Sequence, residues 1–179
     1  MSVRSGGDAP ERVELVRVPA EDRSVLRNLV GLYLYDLSEY TGPDVNEHGL
    51  YEYPRLDQYW LDESCHPLLI RVDGRIAGFV LVHQHDLLQE RRHVVAEFFV
   101  MRKYRRRGVG TRAARLVFDA FPGPWEVSEL PENEPAQAFW RRVIAALTDG
   151  AYTETVVDGR PVQYFDYPTK TKQTERPGP

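Results

Sequence analysis

The segment that most restricts this chain runs from Ala96 to Phe121. An apolar stretch, Ala96-Glu97-Phe98-Phe99-Val100-Met101, is followed by Arg102-Lys103-Tyr104-Arg105-Arg106-Arg107 and then by Gly108-Val109-Gly110-Thr111. Beyond it, Ala113, Leu116, Val117, Ala120 and Phe121 recur at helical spacing until Pro122-Gly123-Pro124. The pattern reads as a buried strand that enters an amphipathic helix through a glycine loop. The first turn of a helix has backbone N–H groups without partners and a positive partial charge, and glycine lets an anion approach the backbone closely. Five cations within residues 102–107 stand beside that turn, so the unit points to a bound phosphate group.

The flanking elements set the architecture. Val13 to Val18 alternates apolar and charged residues and reads as a strand. Pro19-Ala20-Glu21-Asp22 starts a helix buried along Leu26, Leu29, Val30, Tyr33 and Leu37, which Gly42-Pro43 stops. A second helix is predicted over Arg55–Glu63. Leu68–Val72 and Ile76–His83 form a hairpin around Asp73-Gly74, a pair that accepts positive φ, and His93–Met101 is the next strand. Trp125–Leu130 is a strand, and Asn133-Glu134-Pro135 opens a helix buried along Ala136, Phe139, Trp140, Val143 and Leu147. Two last strands, Tyr152–Val157 and Val162–Tyr167, flank Asp158-Gly159. The order is β-α-α-β-β-β-α-β-α-β-β, an α/β (α+β) chain with a mixed sheet flanked by helices. One domain is expected over residues 13–168, with a loose segment at 1–12 and a disordered tail at 169–179.

Composition removes several classes. The 179 residues carry a net charge of −4, which gives no global attraction for nucleic acid, and no apolar run approaches the length of a membrane span. Cys65 is the single cysteine, so an intrachain disulfide scaffold and a structural zinc module are excluded and a reducing cytoplasm is expected. A nucleic-acid patch or a localisation signal is a rival use of the arginine run, but neither explains the glycines or the elements around them. A Rossmann dinucleotide site lacks its third glycine, because Ala113 stands there.

Arg105 to Gly110 resembles the pyrophosphate loop of the GNAT superfamily of acyl-CoA-dependent N-acyltransferases, Arg/Gln-x-x-Gly-x-Gly/Ala between a core strand and a helix. Asn133, Ala136 and Phe139 resemble the family's Asn-x-x-Ala-x-x-Phe-Tyr helix start, with Trp140 in place of the tyrosine. The resemblance implies acetyl-CoA, or a related acyl-CoA, as co-substrate and no metal. Backbone groups of Phe99, Val100 and Met101 would pair with the pantetheine arm. The amides from Arg105, Arg106 and Arg107 through Gly108, Val109, Gly110 and Thr111 would hold the pyrophosphate, and Asn133 and Trp140 would contact the cofactor farther along.

Acyl transfer to an amine needs a proton acceptor, oxyanion donors and an acid for the leaving thiolate. Glu97 lies within an apolar strand, where an unpaired charge is costly, and is either the proton acceptor or a structural hydrogen-bond acceptor at a strand end. The indole of Trp140 is no general acid. Another tyrosine, Tyr104, Tyr152 or Tyr164, would have to reach the sulfur, or the thiolate leaves unassisted. Cys65 has no evident base and reads as a small apolar residue, and His83 and His85 share a strand face without a third metal ligand.

Residues 36–63 contain eight carboxylates and one arginine, a local charge of −7 that leaves +3 for the rest of the chain. Tyr33, Tyr35, Tyr40, Tyr51, Tyr53, Tyr59 and Trp60 crowd the same region. Carboxylates beside aromatic faces suit a cationic amine, either a small molecule or a peptide, although a solvated acidic surface has the same composition. The expectation is an N-acetyltransferase acting by direct attack of a primary amine on the thioester. The alternative is a non-catalytic acyl-CoA-binding regulatory module. Neither a nucleic acid nor a membrane is expected as a partner, and a homodimer is compatible with the sequence.

Overall fold

Strands with alternating side chains make the first half of one sheet. In the computed structural model, which describes residues 12–40, 42, 44–87 and 90–168, β1 (Val13–Arg17) pairs antiparallel with β2 (Cys65–Val72). In turn β2 pairs with β3 (Arg75–Leu87), and β3 with β4 (Glu90–Val100), again antiparallel. Asp73 and Gly74 make the predicted hairpin turn with φ of 48° and 75°. Then follow α2 (Val109–Ala120), β5 (Gly123–Ser128), α3 (Glu134–Thr148), β6 (Tyr152–Val157) and β7 (Arg160–Tyr167), with α1 (Arg23–Leu37) between β1 and β2. The sheet order among the described residues is β1-β2-β3-β4-β5-β7-β6, and only β4 and β5 run parallel. This is the mixed α/β sheet with flanking helices that the sequence predicts. Residues 1–11, 169–179 and Pro43 lie outside the described residues.

Two expectations need correction. Instead of a helix over Arg55–Glu63 there is one 3-10 turn, Leu56–Trp60. Leu56 and Tyr59 are its fully buried residues, a spacing of three that fits a 3-10 turn, and Asp62 ends the segment by accepting the Ser64 N–H at 2.8 Å. On α2 the buried residues are Val109, Ala113, Ala114, Val117 and Phe118, whereas Leu116 and Phe121 are half-buried and Ala120 is exposed. The Phe118 ring sits 4.7 Å from that of Trp125 and 5.1 Å from that of Phe165, and burying it favours that stripe over its neighbour.

Each face of the sheet has its own core. Ile70, Val80, Val82, Val95 and Trp125 pack under α2 and α3, while Leu69, Phe79, Leu81 and Phe99 pack under α1 with Leu26, Leu29 and Val30. The alternation along β4 breaks once. Leu81 pairs with Glu97 but Val82 pairs with Val95, so Ala96 is an extra residue in a β-bulge. Val95 faces α2 and α3; Ala96 packs toward α1, and Glu97 follows it onto that side. Without the bulge, Glu97 would share Val95's face.

The groove of the molecule comes from a parting of strands. β4 pairs with β5 only over His93–Val95 with Trp125–Val127, although β4 continues to Val100. Its far end is held instead by β3, and so closely that a Cβ on Gly78 would lie 1.9 Å from the Phe99 carbonyl oxygen. Among the described residues no helix is long and apolar enough to cross a membrane.

Candidate active site

The end of β4, the loop after it and the first turn of α2 form one wall of a groove of about 780 Å³; α1 and the start of α3 close its other sides. After β4 the chain makes a 3-10 turn, Arg102–Tyr104, and an extended residue, Arg105. Arg106 takes φ 63° and Gly108 φ 74°, so two left-handed residues turn the backbone into α2. Gly108 is the N-cap and gives α2 no side-chain cap, leaving the first amides of the helix for an incoming anion. Gly108, Gly110 and Thr111 line the groove, with the guanidinium-bearing Arg105, Arg106 and Arg142. Gly110 has a packing reason as well, since a Cβ there would lie 3.2 Å from the Phe139 ring. Val109 is buried beneath the loop, and neither it nor Arg107 lines the groove.

Two arginines of the loop are tied to α1. Arg105 Nε donates to the Val100 carbonyl at 2.7 Å, and its Nη2 pairs with Asp36. Arg102 Nε donates to Asp36 Oδ1 at 2.8 Å. Burial raises the Asp36 carboxyl, but the hydrogen bonds and charges of Arg105 and Arg102 outweigh it and hold the group below the ordinary carboxylate range. The acidic region and the cationic loop are thus not separate poles: Asp36 joins them. Other carboxylates of that region also have local partners, Asp57 at 3.1 Å from Arg27 and Glu52 at 2.8 Å from the Asn46 amide.

Phe99 and Val100 line the groove, and Met101 does not. The Met101 N–H bonds the Ala77 carbonyl at 2.8 Å and its carbonyl accepts from Tyr104 N at 2.8 Å, so both groups are taken. The Phe99 carbonyl lies against Gly78 of β3. By the alternation of an antiparallel pair, the backbone groups that face the missing β5 partner are those of Phe98 and Val100, and of these the Val100 carbonyl is already held by Arg105 Nε. Asn133 and Trp140 also line the groove. Asn133 is the N-cap of α3, its Oδ1 accepting from Ala136 N at 3.1 Å, so its first role is to start that helix. Trp140 is 5% exposed and stacks edge-on with Phe98 at 5.0 Å, a packing residue with one edge in the groove.

Glu97 sits behind the lining. Its Oε2 accepts the Tyr33 hydroxyl, and its Oε1 accepts the Tyr53 hydroxyl at 2.8 Å. Burial pushes the carboxyl above the ordinary glutamate range, and the two phenol bonds only partly offset this. Each oxygen keeps a second lone pair. Tyr33 lines the groove and Tyr53 does not. From the sequence, Tyr33 belongs to the buried face of the first helix and both tyrosines to an aromatic crowd, with no link to Glu97; the signal for one is a lone carboxylate in an apolar strand, which must find hydrogen-bond donors.

The remaining candidates lie elsewhere. Tyr104 is 7% exposed in the core, and Tyr152 and Tyr164 line a separate depression with Arg92. Cys65 is buried on β2, and burial pushes its thiol up. The His83 and His85 rings are 6.1 Å apart, and among the described residues no group of three His, Cys, Asp or Glu side chains is placed to hold a metal ion.

The profile of the acetyltransferase (GNAT) family matches residues 32–144. No curated protein matches the chain in sequence. Among solved structures, an acetyltransferase from Thermus thermophilus is similar with a TM-score of 0.63 and 15% identity, over 86% of this chain and 96% of that one. An aminoglycoside acetyltransferase from an uncultured soil metagenomic sample, in complex with trehalose, has a TM-score of 0.57 and 14% identity, over 88% and 97%. The ribosomal-protein-S18-alanine N-acetyltransferase of Escherichia coli has a TM-score of 0.56 and 10% identity, over 90% and 98%. At these identities the neighbours establish the fold, the family match covers more than half of the chain, and the strand, glycine loop and helix fall inside it: the chain belongs to the GNAT family of acetyltransferases.

Proposed function

We propose that this chain is an N-acyltransferase that moves an acetyl or related acyl group from acyl-CoA to a primary amine, by direct attack of the amine on the thioester. The observation that carries the reading is a single groove with an uncapped helix start at one end and a buried carboxylate, Glu97, behind its wall. The uncapped amides of α2, with Arg105 and Arg106 beside them, would hold the pyrophosphate. The backbone groups of Phe98 and the Val100 N–H would take the pantetheine amides as an added strand. Glu97 would accept the amine proton, directly or through water, on a lone pair that neither tyrosine uses.

Glu39 and Tyr40 line the groove beside Asp36 and favour a cationic acceptor. The named neighbours include an enzyme for aminoglycosides and one for a protein's alanine, so both a small polyamine-like acceptor and a peptide amine belong in the first panel. A single buried cysteine fits work in a reducing cytoplasm.

Calorimetry with acetyl-CoA, followed by free-thiol release against a panel of amines, tests the reading. Saturable binding and amine-stimulated thiol release are expected. Binding without stimulation by any amine would turn the assignment to a non-catalytic acyl-CoA-binding module, and no binding at sub-millimolar acetyl-CoA would remove the co-substrate.

A further inference from the structure

Trp140 occupies the place where the family resemblance puts a tyrosine acid, and the tyrosines that sequence reasoning nominated instead, Tyr104, Tyr152 and Tyr164, do not line the groove. Tyr33 does, from the opposite wall. It reaches out of α1 across Phe79 and Phe99, with ring centroids 5.7 Å from each, and its hydroxyl ends on Glu97. One phenol therefore touches both the groove and the proposed proton acceptor. Tyr53 holds the other carboxylate oxygen at 2.8 Å but stays off the groove.

Resting on the acyltransfer reading above, we propose that Tyr33 supplies the proton for the departing thiolate and is recharged by Glu97, so that the two residues carry the amine proton across to sulfur. The amine nitrogen forms a bond to the thioester carbon, and Glu97 takes the proton that the nitrogen sheds. The C–S bond breaks with its electron pair on sulfur, and the Tyr33 O–H proton goes to that sulfur. The proton on Glu97 moves along the existing hydrogen bond to Tyr33 Oη. Amide and free thiol leave, and phenol and carboxylate are restored, with no other reactant.

The electrostatics give this relay an order. Burial and the neighbouring Glu97 charge hold the Tyr33 proton well above the ordinary phenol range, so the phenol keeps it at rest. When Glu97 becomes neutral by accepting the amine proton, the charge opposing phenol ionisation disappears. Proton release at sulfur is thereby coupled to proton uptake from the amine.

The test compares Tyr33→Phe with Tyr53→Phe, using two acyl donors: acetyl-CoA, and the acetyl thioester of an acidic aryl thiol, whose thiolate needs no acid. With acetyl-CoA, Tyr33→Phe is expected to lower kcat by roughly 10²-fold while leaving the calorimetric affinity for acetyl-CoA unchanged, which also reports an intact fold. With the aryl donor the loss shrinks to about threefold or less, whereas Tyr53→Phe loses the same factor with both donors. A second readout needs no co-substrate: the tyrosinate absorbance assigned to Tyr33, by difference from Tyr33→Phe, moves to lower pH in Glu97→Gln. An equal loss with both donors in Tyr33→Phe, a full rate in that variant, or an unmoved tyrosinate signal overturns the relay while leaving the acyltransfer reading standing. A wild-type chain that releases no thiol with any amine sinks that reading and the relay together.

Discussion

At the loop end of the groove the proposed anion site belongs to consecutive residues: Arg105 to Thr111 supply the left-handed turns, the guanidinium groups and the uncapped helix amides. At the other end, Glu97 meets Tyr33 and Tyr53 from 64 and 44 positions away along the chain. The first end needs only a backbone conformation, which glycine and a helix start produce locally. The second needs α1, the segment before the 3-10 turn and β4 in register at once. The two carboxylates that face these ends shift in opposite directions. Asp36 is held down by two arginines, and Glu97 is pushed up by burial, which the two phenols and the Arg160 charge offset only in part.

The largest effect is expected from Glu97→Gln, a fall in kcat of roughly 10²- to 10⁴-fold with acetyl-CoA affinity kept, read by thiol release and calorimetry. Because the carboxyl sits above the ordinary range and must be ionised to accept a proton, the wild-type rate should fall as pH drops through a midpoint above that range. The variant loses this limb. If Glu97→Gln instead weakens acetyl-CoA binding, the two ends of the groove do not act separately.

Next comes Gly78→Ala, which forces a Cβ into the Phe99 carbonyl and costs about 3 kcal/mol of folding stability, measured by urea unfolding. It should also displace the Phe98–Val100 edge from the groove. Gly108→Ala acts only on the loop end. The site is open, so the penalty is the left-handed conformation, about 1–2 kcal/mol, seen as roughly tenfold weaker acetyl-CoA binding with kcat retained at saturation.

Asp36→Asn gives the smallest change, about 1 kcal/mol once solvent screening is allowed for. The sign follows from linkage. The folded Asp36 carboxyl lies below its unfolded value, so its stabilisation is present above the unfolded pKa and is lost as pH falls through the folded one. Glu97 has the opposite sign: its contribution is fully present below the unfolded pKa and declines as pH rises through the raised folded value. Unfolding free energies on the acid side should therefore flatten in Asp36→Asn, and those above the ordinary glutamate range should flatten in Glu97→Gln.

Much of this was readable from residues alone. The hairpin turns at Asp73-Gly74 and Asp158-Gly159 adopt the positive φ angles that their composition predicts. Asn133 and Pro135 start α3 as local capping chemistry requires. The errors arose where local signals tie. Arg55–Glu63 carries helical spacing for less than two turns, and Phe118 and Ala120 flank the shared Ala113–Val117 stripe on opposite sides, a choice that only the packing of Trp125 and Phe165 could settle. Met101 was expected to offer its backbone, and only the pairing partners on β3 and in the 3-10 turn reveal that its groups are taken.

The sequence by itself determined the glycine loop, its charge and the helix it opens, because those depend on neighbours within one or two turns of chain. The tertiary structure alone decided which way Glu97 faces. A single extra residue, Ala96, reverses the side-chain alternation of β4, and a period-two pattern cannot announce its own interruption. That reversal brings Glu97 to Tyr33, and a carboxylate that reads as an anomaly in a strand becomes the partner of a phenol on the wall of the groove.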